Sequence, residues 1–292
     1  IMDTDGDGVA DTPVTPANYW NALTLDYTGA AGSTDLNNFY YSGYSSGISY
    51  ISSSQEIILK NVETDGHLEI KPWGSNPPQG AVGPSGVSAS LDGVTANIIE
   101  LHNFHPAIID DVNAASLEWT GLTSYTQKIK ASDITVSGRV TINGCGMDLE
   151  LSSSSIGQLL SICSAGTKNN IVLDTVTVLS YQTPGTIADD SIIGQNTKIV
   201  LLGVSISAPA VGDDAIKLID NSMAYVIGSN VLSSSLPSPC ADTSGSTTDC
   251  TFDIDSSSDI YWGGFATVKA YRQIGINQVM QSDAIIRSQI AV

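Results

Sequence analysis

The densest potential chemistry lies near the N-terminus, in Asp3-Thr-Asp5-Gly-Asp7-Gly8-Val9-Ala-Asp11. Carboxylates at alternate positions can converge on one cation, Gly8 permits the tight turn and Val9 offers its carbonyl oxygen. Asp3, Asp5, Asp7, Val9 and Asp11 are therefore predicted calcium ligands. Position twelve of this loop is Val14, not an acid, so a last ligand must come from elsewhere: Asp26, Asp35 or another subunit. The competing reading is a solvated acidic turn.

A second set is Asp189-Asp190 and Asp213-Asp214. Two carboxyl groups held roughly 6.5–9.5 Å apart can act as acid and base in inverting glycoside hydrolysis. On a coiled chain of the right period these pairs would stack on one face, making all four candidate catalytic residues. The other reading is a structural turn. His67, His102 and His105 would form a metal cluster only if the fold gathered them; otherwise they are surface histidines. The serine runs at 152–155 and 233–235 have no nearby histidine, and no phosphate loop or dinucleotide fingerprint occurs.

The elements that must position these residues are visible in a six-residue pattern. An aliphatic, any residue, a second core residue, two turn-like residues and a last apolar residue recur from Ile57, Ile99, Leu117, Ile129, Ile171, Ile199, Val226 and Ile260. A weaker copy starts at Leu149. The fifth position is Asn61, Asn103, Gly121, Asp133, Thr175, Gly203, Asn230 or Gly264. Asn, Gly and Asp accept the left-handed backbone of a tight bend. Alternation on both sides of such a corner favours short strands, and many corners in one chain predict a coil. Most steps between copies fit a period of about 20 residues. The short step from Leu117 to Ile129 predicts two strands of one rung. The long step from Ile57 to Ile99 predicts a hidden rung around His67-Leu68-Glu69-Ile70.

Charged residues make up only 14% of the 292, against about 25% in ordinary globular chains. Uncharged polar side chains suit stacked rungs, where like charges would repel at about 4.8 Å. Thirty acidic residues outnumber eleven basic ones, for a net charge of −19. Nucleic acid is thus an unfavourable partner, since phosphate contacts need clustered Lys and Arg. No stretch reaches the ~18 apolar residues of a membrane span.

Cys145 and Cys163 lie near one coil length apart and could bridge adjacent rungs; Cys240 and Cys250 flank a Ser/Thr/Asp-rich loop. Two disulfides would suit an extracellular or cell-surface location, and four buried thiols are the alternative. Residues 1–50, rich in Tyr and Gly, read as an N-terminal calcium-binding and assembly segment. Residues 51–271 read as the coil, with excursion loops at 72–88 and 236–258. Residues 272–292 read as a C-terminal cap or inter-subunit strand, helix or strand undecided.

Two resemblances add to this. The 3–11 loop resembles the acidic calcium loops of extracellular thrombospondin type 3 repeats and dockerins. Val211-Gly212-Asp213-Asp214-Ala215-Ile216-Lys217-Leu218 resembles the Gly-Asp-Asp segment of polygalacturonase-like members of the pectin-lyase-like superfamily. Asp189-Asp190 falls where that family carries an earlier Asp. The resemblance implies a right-handed single-stranded parallel β-helix, all-β, and an inverting hydrolysis of polysaccharide. The chain departs from the family downstream: no His follows His105, and Val268-Lys269-Ala270-Tyr271-Arg272 replaces its Arg-x-Lys.

Three functions follow as expectations. The first is a non-catalytic structural subunit of an extracellular filament, surface layer or adhesin, stabilised by calcium and self-associating as a homo-oligomer or polymer through its terminal segments. The second is an extracellular polysaccharide hydrolase. The third is a glycan-binding module.

Overall fold

The computed structural model describes residues 24–27, 34–37, 40–41, 48–53, 57–64, 66–72, 88–104, 106–121, 127–179, 190–207, 214–228, 230–233, 252–255, 257–263, 265–269, 273–274, 278–280 and 285–286. Among these there is no helix, and every strand pairs in parallel with a strand one turn of chain away. The result is an all-β, strongly curled parallel sheet of the β-solenoid kind.

Three ladders run side by side. Along the first, the strand segments start at 24, 48, 67, 98, 116, 139, 158, 192, 216, 252 and 273, which makes eleven rungs among the described residues. The hidden rung is present as His67–Pro72, whose Leu68 and Ile70 align with Ile99 and Leu101. Leu117 and Ile129 belong to one rung, on its first and second ladders. Thr24–Tyr27, Thr34–Asn37 and Tyr40–Tyr41 build a rung onto Ile48–Ser53, Ile57–Lys60 and Glu63–Thr64. At the other end Gln273–Ile274, Gln278–Met280 and Ile285–Ile286 are strands. Phe252–Ile254 is also a strand, paired with Ile216–Ile219, so the second excursion ends before 252.

The corner between the second and third ladders explains the repeat. Asn61, Gly93, Asp111, Asp133, Ser153, Thr175, Gly203 and Gly228 occupy it on eight successive rungs, and each has positive φ, from 48° to 76°. Left-handed backbone costs about 1–2 kcal/mol at a non-glycine residue. The parallel ladder offsets this by running through the bend: Asn61 N–H reaches Asp92 O at 2.8 Å, and Thr175 N–H reaches Leu202 O at 2.8 Å.

This corrects the sequence reading at three copies. The copies that begin at Ile99 and Leu117 start on the first ladder and so mark a different corner. The true second and third copies are Ala89-Ser-Leu91-Asp-Gly93-Val94 and Ala107-Ile-Ile109-Asp-Asp111-Val112. They hide because alanine opens each. The Val226 copy begins two residues earlier, since Ala224 aligns with Ile199. Its left-handed residue is Gly228, not Asn230.

Inward residues make one continuous apolar column that includes Ile57, Leu59, Leu91, Ile109, Leu149, Ile171, Leu201 and Val226. Trp119 lies in this column too, as its place in the repeat predicts. Trp262 lies among residues whose side chains are not described. Buried polar side chains satisfy the corners. Asn169 Oδ1 accepts from Met147 N–H at 3.0 Å, while its Nδ2 donates to Gly144 O at 2.8 Å. Asn230 does the same one ladder on, accepting from Val204 N–H at 2.8 Å and donating to Ile227 O at 2.9 Å. Cys145 and Cys163 form a disulfide between adjacent rungs. Cys240 and Cys250 lie outside the described residues.

Candidate functional site

Asp3, Asp5, Asp7, Val9 and Asp11 lie outside the described residues, as do Asp189, Asp213 and His105. Asp190 and Asp214 are described, and the coil does bring them together. Each stands just before a first-ladder strand, Ile192–Gln195 and Ile216–Ile219, and these pair in register. Asp214 N–H donates to Asp190 Oδ1 at 2.9 Å, and Ser191 N–H donates to Asp214 O at 2.9 Å.

The group extends over the outer face of the first ladder. Lys217, aligned with Asp253 on the next rung, puts Nζ 3.0 Å from Asp253 Oδ2 and 3.5 Å from Asp190 Oδ2. Gln158 Nε2 donates to Asp190 O at 2.6 Å, and Arg139 Nε donates to Gln158 Oε1. Burial raises the Asp190 carboxyl above its ordinary range, and Lys217 and the Asp214 N–H offset only part of that. Burial also works to lower the Lys217 ammonium, but Asp190 and Asp253 outweigh it and the pKa rises. A carboxyl with a raised pKa is the form a general acid takes. Here, however, Asp190 is 7% exposed and Asp214 6% exposed.

A second cluster lies at the other end of the same ladder, and the motif reading passed over its carboxylates. His67-Leu-Glu69 and Glu100-Leu-His102 are on successive rungs, with Glu69 directly opposite Glu100. Alternate residues of a strand share a face, so all four side chains leave the coil on the outer side. His102 Nε2 is 3.1 Å from Glu69 Oε1 and 3.4 Å from Glu100 Oε2; His67 Nε2 is 3.4 Å from Glu100 Oε1. These are close approaches without hydrogen-bond alignment: both Nε2 atoms are buried and neither has a hydrogen-bond partner. Glu100 is held well below the usual carboxylate range, first by the His102 imidazole and then by that of His67, against the effect of burial. The available sequence signal was the mirrored pair His-x-Glu and Glu-x-His, legible only once the rungs are in register.

Further along the second ladder, Tyr225 and Tyr261 stack with ring centroids 4.7 Å apart, and Lys198 Nζ lies 5.2 Å from the Tyr225 ring centre. Among the described residues no helix is long and apolar enough to cross a membrane.

No protein-family model, curated protein or solved structure matches the chain.

Proposed function

We propose that the chain is a non-catalytic structural subunit of an extracellular or cell-surface assembly, built as a right-handed single-stranded parallel β-helix. The carrying observation is the state of the best acid–base candidate. Asp190 and Asp214 are nearly closed to solvent, and Asp190 spends both carboxylate oxygens on its neighbours: one on Asp214 N–H, one beside Lys217. Residues used this way join rungs. Right-handed coiling is the sense that parallel crossover connections adopt in about 98% of cases. A coil of this kind has two ends whose backbone groups invite another strand, and a head-to-tail contact that does not close produces a fibre. The acidic 3–11 segment binds the calcium, and the terminal segments supply the joints.

Electron microscopy of the purified chain with calcium, repeated after chelation, tests this. Filaments or sheets that loosen on chelation are expected. Monodisperse particles in both conditions would overturn the proposal.

One observation favours the hydrolase reading: burial raises the Asp190 carboxyl in the direction a general acid requires. Release of reducing ends from an acidic glycan, abolished by Asp214→Asn, would establish it. Silence across a broad glycan panel would end it.

A further inference from the structure

We propose that Glu69, Glu100 and His102 form a site for one divalent transition-metal ion, zinc by donor chemistry, that clamps two successive rungs of the coil. This goes beyond the calcium loop, whose residues play no part in it.

Three observations carry the proposal. The first is donor geometry. Two ligand atoms about 2.0–2.2 Å from one tetrahedral ion stand about 3.3–3.5 Å from each other. His102 Nε2 stands 3.1 Å from Glu69 Oε1 and 3.4 Å from Glu100 Oε2. The ligand atoms of Glu69, Glu100 and His102 all lie within 4.8 Å of one another. His67 does not belong to this group; its Nε2 stands 3.4 Å from the other oxygen of Glu100, Oε1.

The second is an orphaned nitrogen. A buried imidazole nitrogen normally finds a hydrogen-bond partner. Nε2 of His102 has none, although carboxylate oxygens of Glu69 and Glu100 stand beside it. Atoms that face a shared ion, and not one another, have this arrangement.

The third is the stacking of like charges. Glu69 and Glu100 are directly opposite on paired strands, where like charges repel. Glu69 has only 8% of its side chain exposed, so solvent does little to screen it. A divalent cation held by both carboxylates would relieve that repulsion. One imidazole and two carboxylates suit zinc and its neighbours in the first transition series; calcium prefers an all-oxygen shell.

The test uses the full chain, freed of metal by a chelator and titrated with Co²⁺ alone. The expected result is a visible ligand-field band that saturates at one equivalent and is displaced by Zn²⁺ but not by excess Ca²⁺. His102→Gln should weaken Zn²⁺ binding by about 100-fold or more, since loss of a mere ligand-supporting group costs 10–100-fold. Zinc affinity equal in the wild type and the variant would overturn the proposal and leave an ion-pair ladder. A second measurement needs no variant. X-ray absorption of the zinc-loaded wild type should show outer-shell scattering from one imidazole, and an oxygen-only shell would overturn the proposal. Neither readout depends on assembly, so this site and the proposed filament can fail separately.

Discussion

The backbone N–H of Asp214 donates to Oδ1 of Asp190 at 2.9 Å, tying together residues 24 apart in the chain. Lys217 sits against the same carboxylate, 3.5 Å from Oδ2, and bridges onward to Asp253. Removing the cation leaves a poorly solvated carboxylate facing its rung neighbour. Lys217→Met should therefore destabilise the fold by about 2 kcal/mol, read as a lowered denaturation midpoint in urea at neutral pH. An unchanged midpoint would show that the Asp214 N–H alone suffices.

The sign of the Asp190 shift makes a pH prediction. Burial raises this carboxyl above its unfolded value, so the folded chain holds the proton more tightly. Its contribution to stability is fully present below the unfolded pKa and is lost as pH rises through the folded pKa. Asp190→Asn keeps the acceptor for Asp214 N–H and removes the titration. Denaturation curves from about pH 3 to pH 7 should show a shallower decline for the variant across that window. Parallel curves would count against the raised value.

The shared corner should separate glycine from other residues in sign. Thr175 is β-branched at φ 56°, so Thr175→Gly relieves strain at the cost of unfolded-chain entropy. A net gain of about 0.5–1 kcal/mol is expected. At Gly93, φ 65°, an added Cβ would meet Asn61 Oδ1 at 2.7 Å. Gly93→Ala should lose about 1–2 kcal/mol. Guanidinium melts of both variants check the pair; the same sign at both positions would refute the corner argument.

Asn230 is fully buried and holds the next corner through Val204 N–H, Ile227 O and Leu201 O. Asn230→Ala leaves a buried donor and two carbonyls without this partner and should cost about 3 kcal/mol. A loss below about 1 kcal/mol, measured by thermal and chemical unfolding, would mean water replaces the amide.

The Cys145–Cys163 disulfide closes a loop of sequence separation 18. On chain entropy alone such a loop contributes about 3 kcal/mol. The Cys145→Ser, Cys163→Ser double variant should lose about that much and unfold at correspondingly lower denaturant.

The sequence by itself determined the coil, because its signals are local. An Asn, Gly or Asp in a left-handed bend between two alternating apolar pairs can be recognised from six residues at a time. That sufficed for the rung hidden at His67–Pro72 and for the shared rung of Leu117 and Ile129. It was not enough to tell one corner from another, since the bends after Leu101 and after Leu59 use the same residue type. Nor could it find the copies opened by Ala89 and Ala107, where alanine takes a buried core position that most other copies give to a larger side chain. What only the tertiary structure decided was register. Whether Asp190 faces water or Asp214 N–H, and whether His102 reaches both Glu69 and Glu100, depends on loops of unequal length returning the chain to one face. Loop-closure cost rises slowly with loop length, so the sequence tolerates many lengths there. Only the inter-rung hydrogen bonds select the alignment that brings those side chains within 3.5 Å.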